Sequence, residues 1–544
     1  MVSIATAVFK ATIGLLVNKG RDMAAEKLKE GDVTDQKFRG LIVREIDDIK
    51  SKLDGLSRKD LGASISSFKE GIVLLYEVFN KARIGNEYGA ATAQAACAEA
   101  FTLTEEMTVL ELTDLDESIK RKLSSAKERF KHAREKASEA FNNEALKISD
   151  RILAMQYRVM ATVLETVDNP EDALGTCRVC IEELNSLSAV QSSFDVQFKK
   201  GIQAVRSLVG KDERRKIISS VCHVNRIVYD VTQTVRKDLP FWIWPALNVG
   251  EVDPLRDGRV AKVLRKQEME HCCVTPWSFG QESEEEHRLK NPWGIATNSS
   301  EQLIVGDIND VKMFDPTGQF VEHFSLPNDN VKTKLVIWDV ATGTKDNIHV
   351  LVRCEKKTGS EEFVVYKFSN TVDLHHKFPV RGCEGWPKLT VTNSKVLVLS
   401  RSSVDVYDTD GLFVRSFGEG TWKNPCDITA ANDGRVMVVE WYDSCVHIFS
   451  EDGDYLDKFK LQGHYYYPRI AFHQLTEHVV IAGEKEEESV VVVEIFTKDG
   501  KFVRSCQMQI HEMMWGIREM TVTRDGRIAV LLLYADKKCK VLVM

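Results

Sequence analysis

Val311-Lys-Met-Phe314-Asp-Pro-Thr-Gly318-Gln-Phe-Val-Glu-His-Phe324 decides the fold, because the chain returns to it again and again. An apolar strand ends on a bulky anchor, a polar turn carries Gly, and a second strand closes on an apolar residue. Val404 to Phe417 (VDVYDTDGLFVRSF), Val446 to Phe459 (VHIFSEDGDYLDKF) and Val493 to Cys506 (VEIFTKDGKFVRSC) repeat it. A degenerate copy ends at Phe368 and closes at Phe378, and a truncated copy ends at Leu542. The anchors Phe314, Phe368, Tyr407, Phe449, Phe496 and Leu542 are separated by 54, 39, 42, 47 and 46 residues. Alternating strands at such a period predict propeller blades.

Before each anchor stands an inner-strand start: Pro292-Trp-Gly-Ile-Ala, Ile337-Trp-Asp-Val-Ala, Trp386-Pro-Lys-Leu-Thr, Pro425-Cys-Asp-Ile-Thr, Tyr467-Pro-Arg-Ile-Ala and Met514-Trp-Gly-Ile-Arg. Six starts and six anchors predict six blades over 292–544. The P-x-G-I-A…D-G-x-V-x-V…V-x-V-F-D-x-x-G-x-F-V texture resembles the NHL repeat, most closely between Asn424 and Phe459. Where that family carries an Asp…Asn…Arg ladder, this blade has Glu440, Asp443 and Cys445. Helices followed by an NHL-like propeller also resemble TRIM-NHL proteins, but no spaced Cys/His pairs for a RING or B-box are present. The resemblance implies a propeller that binds a protein partner on one face, without ligase chemistry.

The last copy stops before an outer strand, and a ring needs one to cover its edge. His271-Cys-Cys-Val-Thr-Pro-Trp-Ser-Phe-Gly280, which ends like Arg415-Ser-Phe-Gly418, is the expected donor, with Val260–Leu264 as the alternative. Aligning the inner strands on Ile295, Val340, Leu389, Ile428, Ile470 and Ile517 puts Gly294, Asp339, Lys388, Asp427, Arg469 and Gly516 in one register. Asp339, Lys388, Asp427 and Arg469 then form an alternating ring at the channel mouth. Opposite neighbours keep each other ionised. A divalent site wants converging donors without competing cations, so the expectation is a self-neutralised ring and no catalytic, cofactor or metal residues.

Residues 1–236 read as helices, giving an α+β multidomain chain with an all-α N-terminal region before an all-β propeller. The expected divisions are a bundle over 1–88, a connector over 89–116, a second helical region over 117–236, a linker with the closing strand over 237–291, and the propeller over 292–544. Leu61, Ile65, Phe68, Ile72, Leu75 and Phe79 form one apolar stripe; Ile119, Leu123, Ala126, Phe130, Ala133, Ala137 and Ala140 form a heptad seam whose alanines permit close approach. Such short seams suit bundle core or coiled coil, and oligomerisation through the helices is left open. Phe241-Trp-Ile-Trp-Pro245 follows the helix break at Pro240 and needs a buried home.

Twelve cysteines among 544 residues lack framework spacing, no 18-residue apolar run occurs, and no secretory signal is evident, so the expected location is the cytoplasm. Residues 1–240 hold 37 Lys+Arg against 36 Asp+Glu, and 241–544 hold 36 against 45. A propeller half at −9 disfavours nucleic acid, which rewards clustered positive charge. Cys177-Arg-Val-Cys180 has knuckle spacing but sits in a helical pattern, as core thiols.

Lys120, Lys127, Lys131 and Arg134 head a basic helix face, either solvated or suited to an acidic protein or an anionic membrane surface. The reading that unites these features is a non-catalytic adaptor or scaffold. The alternatives are a cell-death type effector with a membrane-active first helix (Ile4–Val17), an RNA-binding propeller, and a metal-dependent propeller enzyme.

Overall fold

A computed structural model describes residues 36–51, 58–94, 117–198, 210–236, 240–247, 252–266 and 276–544, the last with short breaks at 282–283, 329–332, 357–360, 384, 486–489, 511–513 and 535–537, together with residues 12, 272 and 274. They divide into a helical unit, which takes in 245–274, and a propeller unit, which takes in 240–244. The expected first helix falls outside the described residues except for Thr12.

The helical unit contains α1 (Gln36–Ser51), α2 (Lys59–Gln94), α3 (Glu117–Asn142), α4 (Ile148–Glu165), α5 (Glu171–Ser186), α6 (Ser188–Phe198), α7 (Lys211–Val235) and α8 (Gly258–Arg265). Leu61, Ile65, Phe68, Ile72 and Leu75 of α2 are buried, as are Ala126, Phe130, Ala133, Ala137 and Ala140 of α3. The two stripes meet antiparallel: Ser64 Oγ donates to the Ala133 carbonyl at 2.8 Å, and Lys136 lies 3.5 Å from Asp60.

Phe68 meets Phe130 edge-on at 5.6 Å and Tyr157 of α4 at 5.2 Å. Gly71 makes room for the first contact, since a Cβ there would lie 2.7 Å from the Phe130 ring. The alanine seam therefore serves as bundle core, and α2 and α3 share one core across the expected 89–116 connector. Neither residue set could bury its apolar face alone.

Val260–Leu264, weighed above as a strand, lies in α8. Asp257 Oδ1 accepts from the Arg259 N–H at 2.8 Å as an N-cap, and Val260, Val263 and Leu264 fall on one buried face at helical spacing.

The propeller has six four-stranded antiparallel sheets. Blades 1 to 5 cover 292–325, 333–379, 388–417, 425–460 and 466–509. Blade 6 takes three strands from 514–543, and its outermost strand is Trp277–Phe279, paired with Cys539–Val543 in the register Phe279↔Val541. Each outer-strand aromatic packs on the anchor of the following blade: Phe279 on Phe314 at 4.5 Å, Phe324 on Phe368 at 4.9 Å, Phe378 on Tyr407 at 5.2 Å, Phe417 on Phe449 at 5.1 Å and Phe459 on Phe496 at 4.8 Å. The sequence repeat is thus a relay between blades, each contact worth about 0.5–1.5 kcal/mol beyond its buried area.

Gly453 shows why the turn needs glycine: its φ is +84°, and a Cβ would lie 2.7 Å from Phe417 of the preceding blade. Trp242 of the connector is buried among blades 5 and 6, its Nε1 donating to Thr476 Oγ1 at 3.3 Å and its ring edge-on to His473 at 4.9 Å.

Candidate partner-binding face of the propeller

The inner strands carry their irregularities at one end. Register shifts fall between Pro292 and Gly294, Ile337 and Asp339, Pro425 and Asp427, Tyr466 and Arg469, and Ile517 and Glu519. The extra residues are Trp293, Trp338, Cys426, Tyr467 with Pro468, and Arg518. A bulge re-aims its extra side chain, and here several of them gather into a shelf. Trp293 stacks on Trp338 at 4.6 Å and 11°, Trp386 lies 5.3 Å and 5.4 Å from the two, and the Arg518 guanidinium covers Trp293 at 3.5 Å. Trp386, just ahead of the blade 3 inner strand, is 64% exposed.

On the blade 4–5 side, Trp441 lies 4.9 Å from Tyr467 and 5.4 Å from Tyr466, and Lys423 covers the exposed Tyr442 at 4.7 Å. Trp, Tyr and Arg in this density are the composition of interface hot spots.

Just inside the bulges lies the charged ring. Asp339, Lys388, Asp427 and Arg469 occupy equivalent registers, opposite Leu351, Leu399, Val439 and Ala482. Gly294 fills the same place in blade 1, where a Cβ would lie 2.5 Å from the Val340 nitrogen. In blade 6 the equivalent residue is Glu519, opposite Leu531, and Gly516 pairs instead with Leu533. The alignment slipped because Ile528, in the register that faces the anchor elsewhere, pairs with Met544 rather than Leu542. The Arg518 bulge adds one further residue.

Asp339 accepts from the Val340 N–H of its own blade and from the Leu389 N–H of blade 3. Asp427 does the same with Ile428 and with Ile470 of blade 5. Arg469 donates to the Cys426 and Arg518 carbonyls at 3.0 and 2.7 Å, tying blades 4, 5 and 6 together. Lys388 and Glu519 pair directly while both are buried.

Three carboxylates face two cations in this ring, so one proton makes it neutral. Burial, opposed by Lys388 and reinforced by Glu519, pushes Asp339 up to about 7. Burial and then the Glu519 charge hold Asp427 well above the usual carboxylate range. Burial pulls Lys388 down, but Glu519 and Asp339 more than offset it and leave its pKa raised.

The ladder positions of the blades are filled by unlike pairs. Lys312 lies 3.2 Å from Asp307 in blade 1, and Tyr465 donates to Glu494 in blade 5. In blade 4, His447 Nε2 lies 3.1 Å from Glu440 Oε2 and 3.4 Å from Cys445 Sγ, all three residues being buried. Burial, then the Glu440 charge, pushes the Cys445 thiol up to about 11. The sequence reading marked Glu440 and Cys445 as departures from the family pattern. It passed over His447, whose alternation with Cys445 along one strand was the available signal. Asp443 is exposed in the turn.

The basic face of α3 is largely engaged within its own bundle. Lys127 bonds Asp168 at 2.8 Å, Arg134 bonds Glu165 at 2.6 Å, Lys120 lies 3.4 Å from Glu117, and Arg129 lies 3.2 Å from Glu70. Lys131 is exposed. Cys177 and Cys180 are both buried, and burial raises both thiols, Cys180 to about 11. Among the described residues, no helix is long and apolar enough to cross a membrane.

No protein-family model matches the chain. Over 210 residues, 38% of this chain, it is 24% identical to Protein brain tumor of Drosophila melanogaster, and the match spans 15% of that protein's length. Among solved structures the chain resembles a streptogramin B lyase (TM-score 0.34, 13% identity, 49% of this chain and 97% of that chain). It also resembles the RRP9 WD40 repeats (TM-score 0.35, 8% identity, 49% of this chain and 99% of that chain).

Proposed function

We propose that the chain is a non-catalytic cytoplasmic scaffold whose propeller takes a protein partner on the bulged face, while the helical unit assembles or signals. The observation that carries this reading is the Trp293–Trp338–Trp386 shelf under Arg518, with Trp386 left exposed. An exposed aromatic backed by rigid neighbours loses little entropy on binding and offers a large apolar area. The ring beneath it is bonded from blade to blade, which supports a rigid platform rather than an open catalytic channel.

The order of helices then propeller, and the partial likeness to Protein brain tumor, favour a TRIM-NHL-like adaptor. The −9 balance of 241–544 favours protein over RNA as the ligand.

The test is affinity capture on the full chain, with and without nuclease, comparing wild type with Trp386→Ala. A nuclease-resistant protein lost with Trp386→Ala supports the proposal. A capture that vanishes with nuclease would transfer the face to RNA.

A further inference from the structure

We propose that Glu440, Cys445 and His447 bind a zinc ion inside blade 4. Glu440 ends the strand Val436–Glu440, Cys445 begins the strand Cys445–Phe449, and the two are cross-strand partners. His447 lies two residues further on, so strand alternation puts it on the same face as Cys445. The donor atoms converge: Nε2 to Oε2 is 3.1 Å, Sγ to Nε2 is 3.4 Å and Sγ to Oε2 is 4.0 Å. Zinc bonds of about 2.0–2.3 Å at tetrahedral angles need donors about 3.3–3.6 Å apart. The triad is within a few tenths of an ångström of that spacing before any metal has drawn it together.

Two other readings of the triad explain less. A nucleophilic relay needs the thiol and the acid on different imidazole nitrogens. Here both address Nε2, while the buried Nδ1 has no hydrogen-bond partner among the described residues. A metal-free network stacks the Cys445 thiol and the His447 ring on one Glu440 oxygen, at 4.0 and 3.1 Å, the first contact being long even for sulfur.

Blade 1 makes the contrast. Asp307 and Asp310 are its cross-strand partners, and Lys312, two residues on, supplies the cation at 3.2 Å from Asp307. Blade 4 keeps the carboxylate and replaces the lysine and the second acid with an imidazole and a thiol, donors that suit zinc. Glu440 is also held as a second shell requires, its Oε1 accepting from the Lys423 and Asn424 N–H groups at 2.7 and 3.3 Å. On binding, the Cys445 thiol proton leaves to solvent and the thiolate, the neutral imidazole and the carboxylate hold the ion, with water as fourth ligand. The ligands flank the turn 441–444, so zinc would fasten the turn that presents Trp441 and Tyr442.

The test uses the full chain, stripped by chelator and titrated with cobalt(II) as a spectroscopic stand-in for zinc. One equivalent should raise a thiolate-to-cobalt charge-transfer band, which zinc then abolishes. Cys445→Ser should remove the band. His447→Lys, which copies the blade 1 arrangement, should remove it while keeping the wild-type circular dichroism and melting temperature of the stripped protein. No band from the folded wild-type chain, or a band that survives in either variant, would overturn the proposal.

Discussion

Lys388 of blade 3 and Glu519 of blade 6 form a buried ion pair between blades on opposite sides of the ring. Sheets adjacent in sequence are already tied by strand packing and by Asp339, Asp427 and Arg469. This pair adds a strut across the channel and blocks it with charge.

Removing one partner leaves the other charge buried and uncompensated. Lys388→Met should lower the stability of the propeller by about 3–5 kcal/mol, and adding Glu519→Met should restore most of the loss. Chemical denaturation of the single and double variants checks this. A double-variant loss equal to the sum of the losses from Lys388→Met alone and Glu519→Met alone would show that the pair is not coupled.

Asp339 carries a pH signature. Its carboxyl sits at about 7 in the fold, against about 3.9 when unfolded. A raised pKa contributes stability that is fully present below about pH 4 and is lost as pH rises through about 7. The stability gap between wild type and Asp339→Asn should therefore shrink between pH 4 and pH 8. Parallel melting profiles would remove Asp339 from the ring's proton balance.

Phe279 closes the circle by packing on Phe314 from a strand that precedes blade 1. Phe279→Ala should cost about 3–5 kcal/mol and expose the edge of blade 6. Ser278→Ala, on the exposed side of the same strand, should be silent. Size-exclusion chromatography during mild heating reads the difference as aggregation of the first variant alone.

The propeller was legible because its anchors and closing aromatics must meet blade after blade, and that demand writes a period into the chain. The shared register of Asp339, Lys388, Asp427 and Arg469 follows from the same period. Glu519 was missed because a bulge at Arg518 and a shift of the last strand to Met544 leave no trace in residue spacing.

The Trp shelf was hidden similarly. Trp293, Trp338 and Trp386 stood in plain view, but only the bulges at Trp293 and Trp338 turn those two toward each other and toward Trp386. Partnership across α2, α3 and α4 was also invisible: the charge run on α3 reads as a free surface until Asp168 and Glu165 are found opposite it.

That pairing separates two kinds of basic residue. Lys127→Glu and Arg134→Glu should each destabilise the helical unit and lower its melting temperature, at a cost of the few tenths to about 1 kcal/mol of a partly exposed pair plus the new repulsion. Lys131→Glu should leave it unchanged. If Lys131→Glu alone abolishes binding to acidic vesicles, the face serves a membrane as well as the bundle.

The central claim is that the bulged face binds a protein through its aromatic shelf. The most direct measurement is the affinity of the full chain for its captured partner, by calorimetry, for wild type, Trp386→Ala and Val503→Ala. Val503 is exposed on an outer strand of blade 5, away from the shelf. A hot-spot tryptophan is worth about 2 kcal/mol or more, so Trp386→Ala should weaken binding about 30-fold and Val503→Ala should not. Wild-type affinity in Trp386→Ala, or a loss confined to Val503→Ala, would contradict the account.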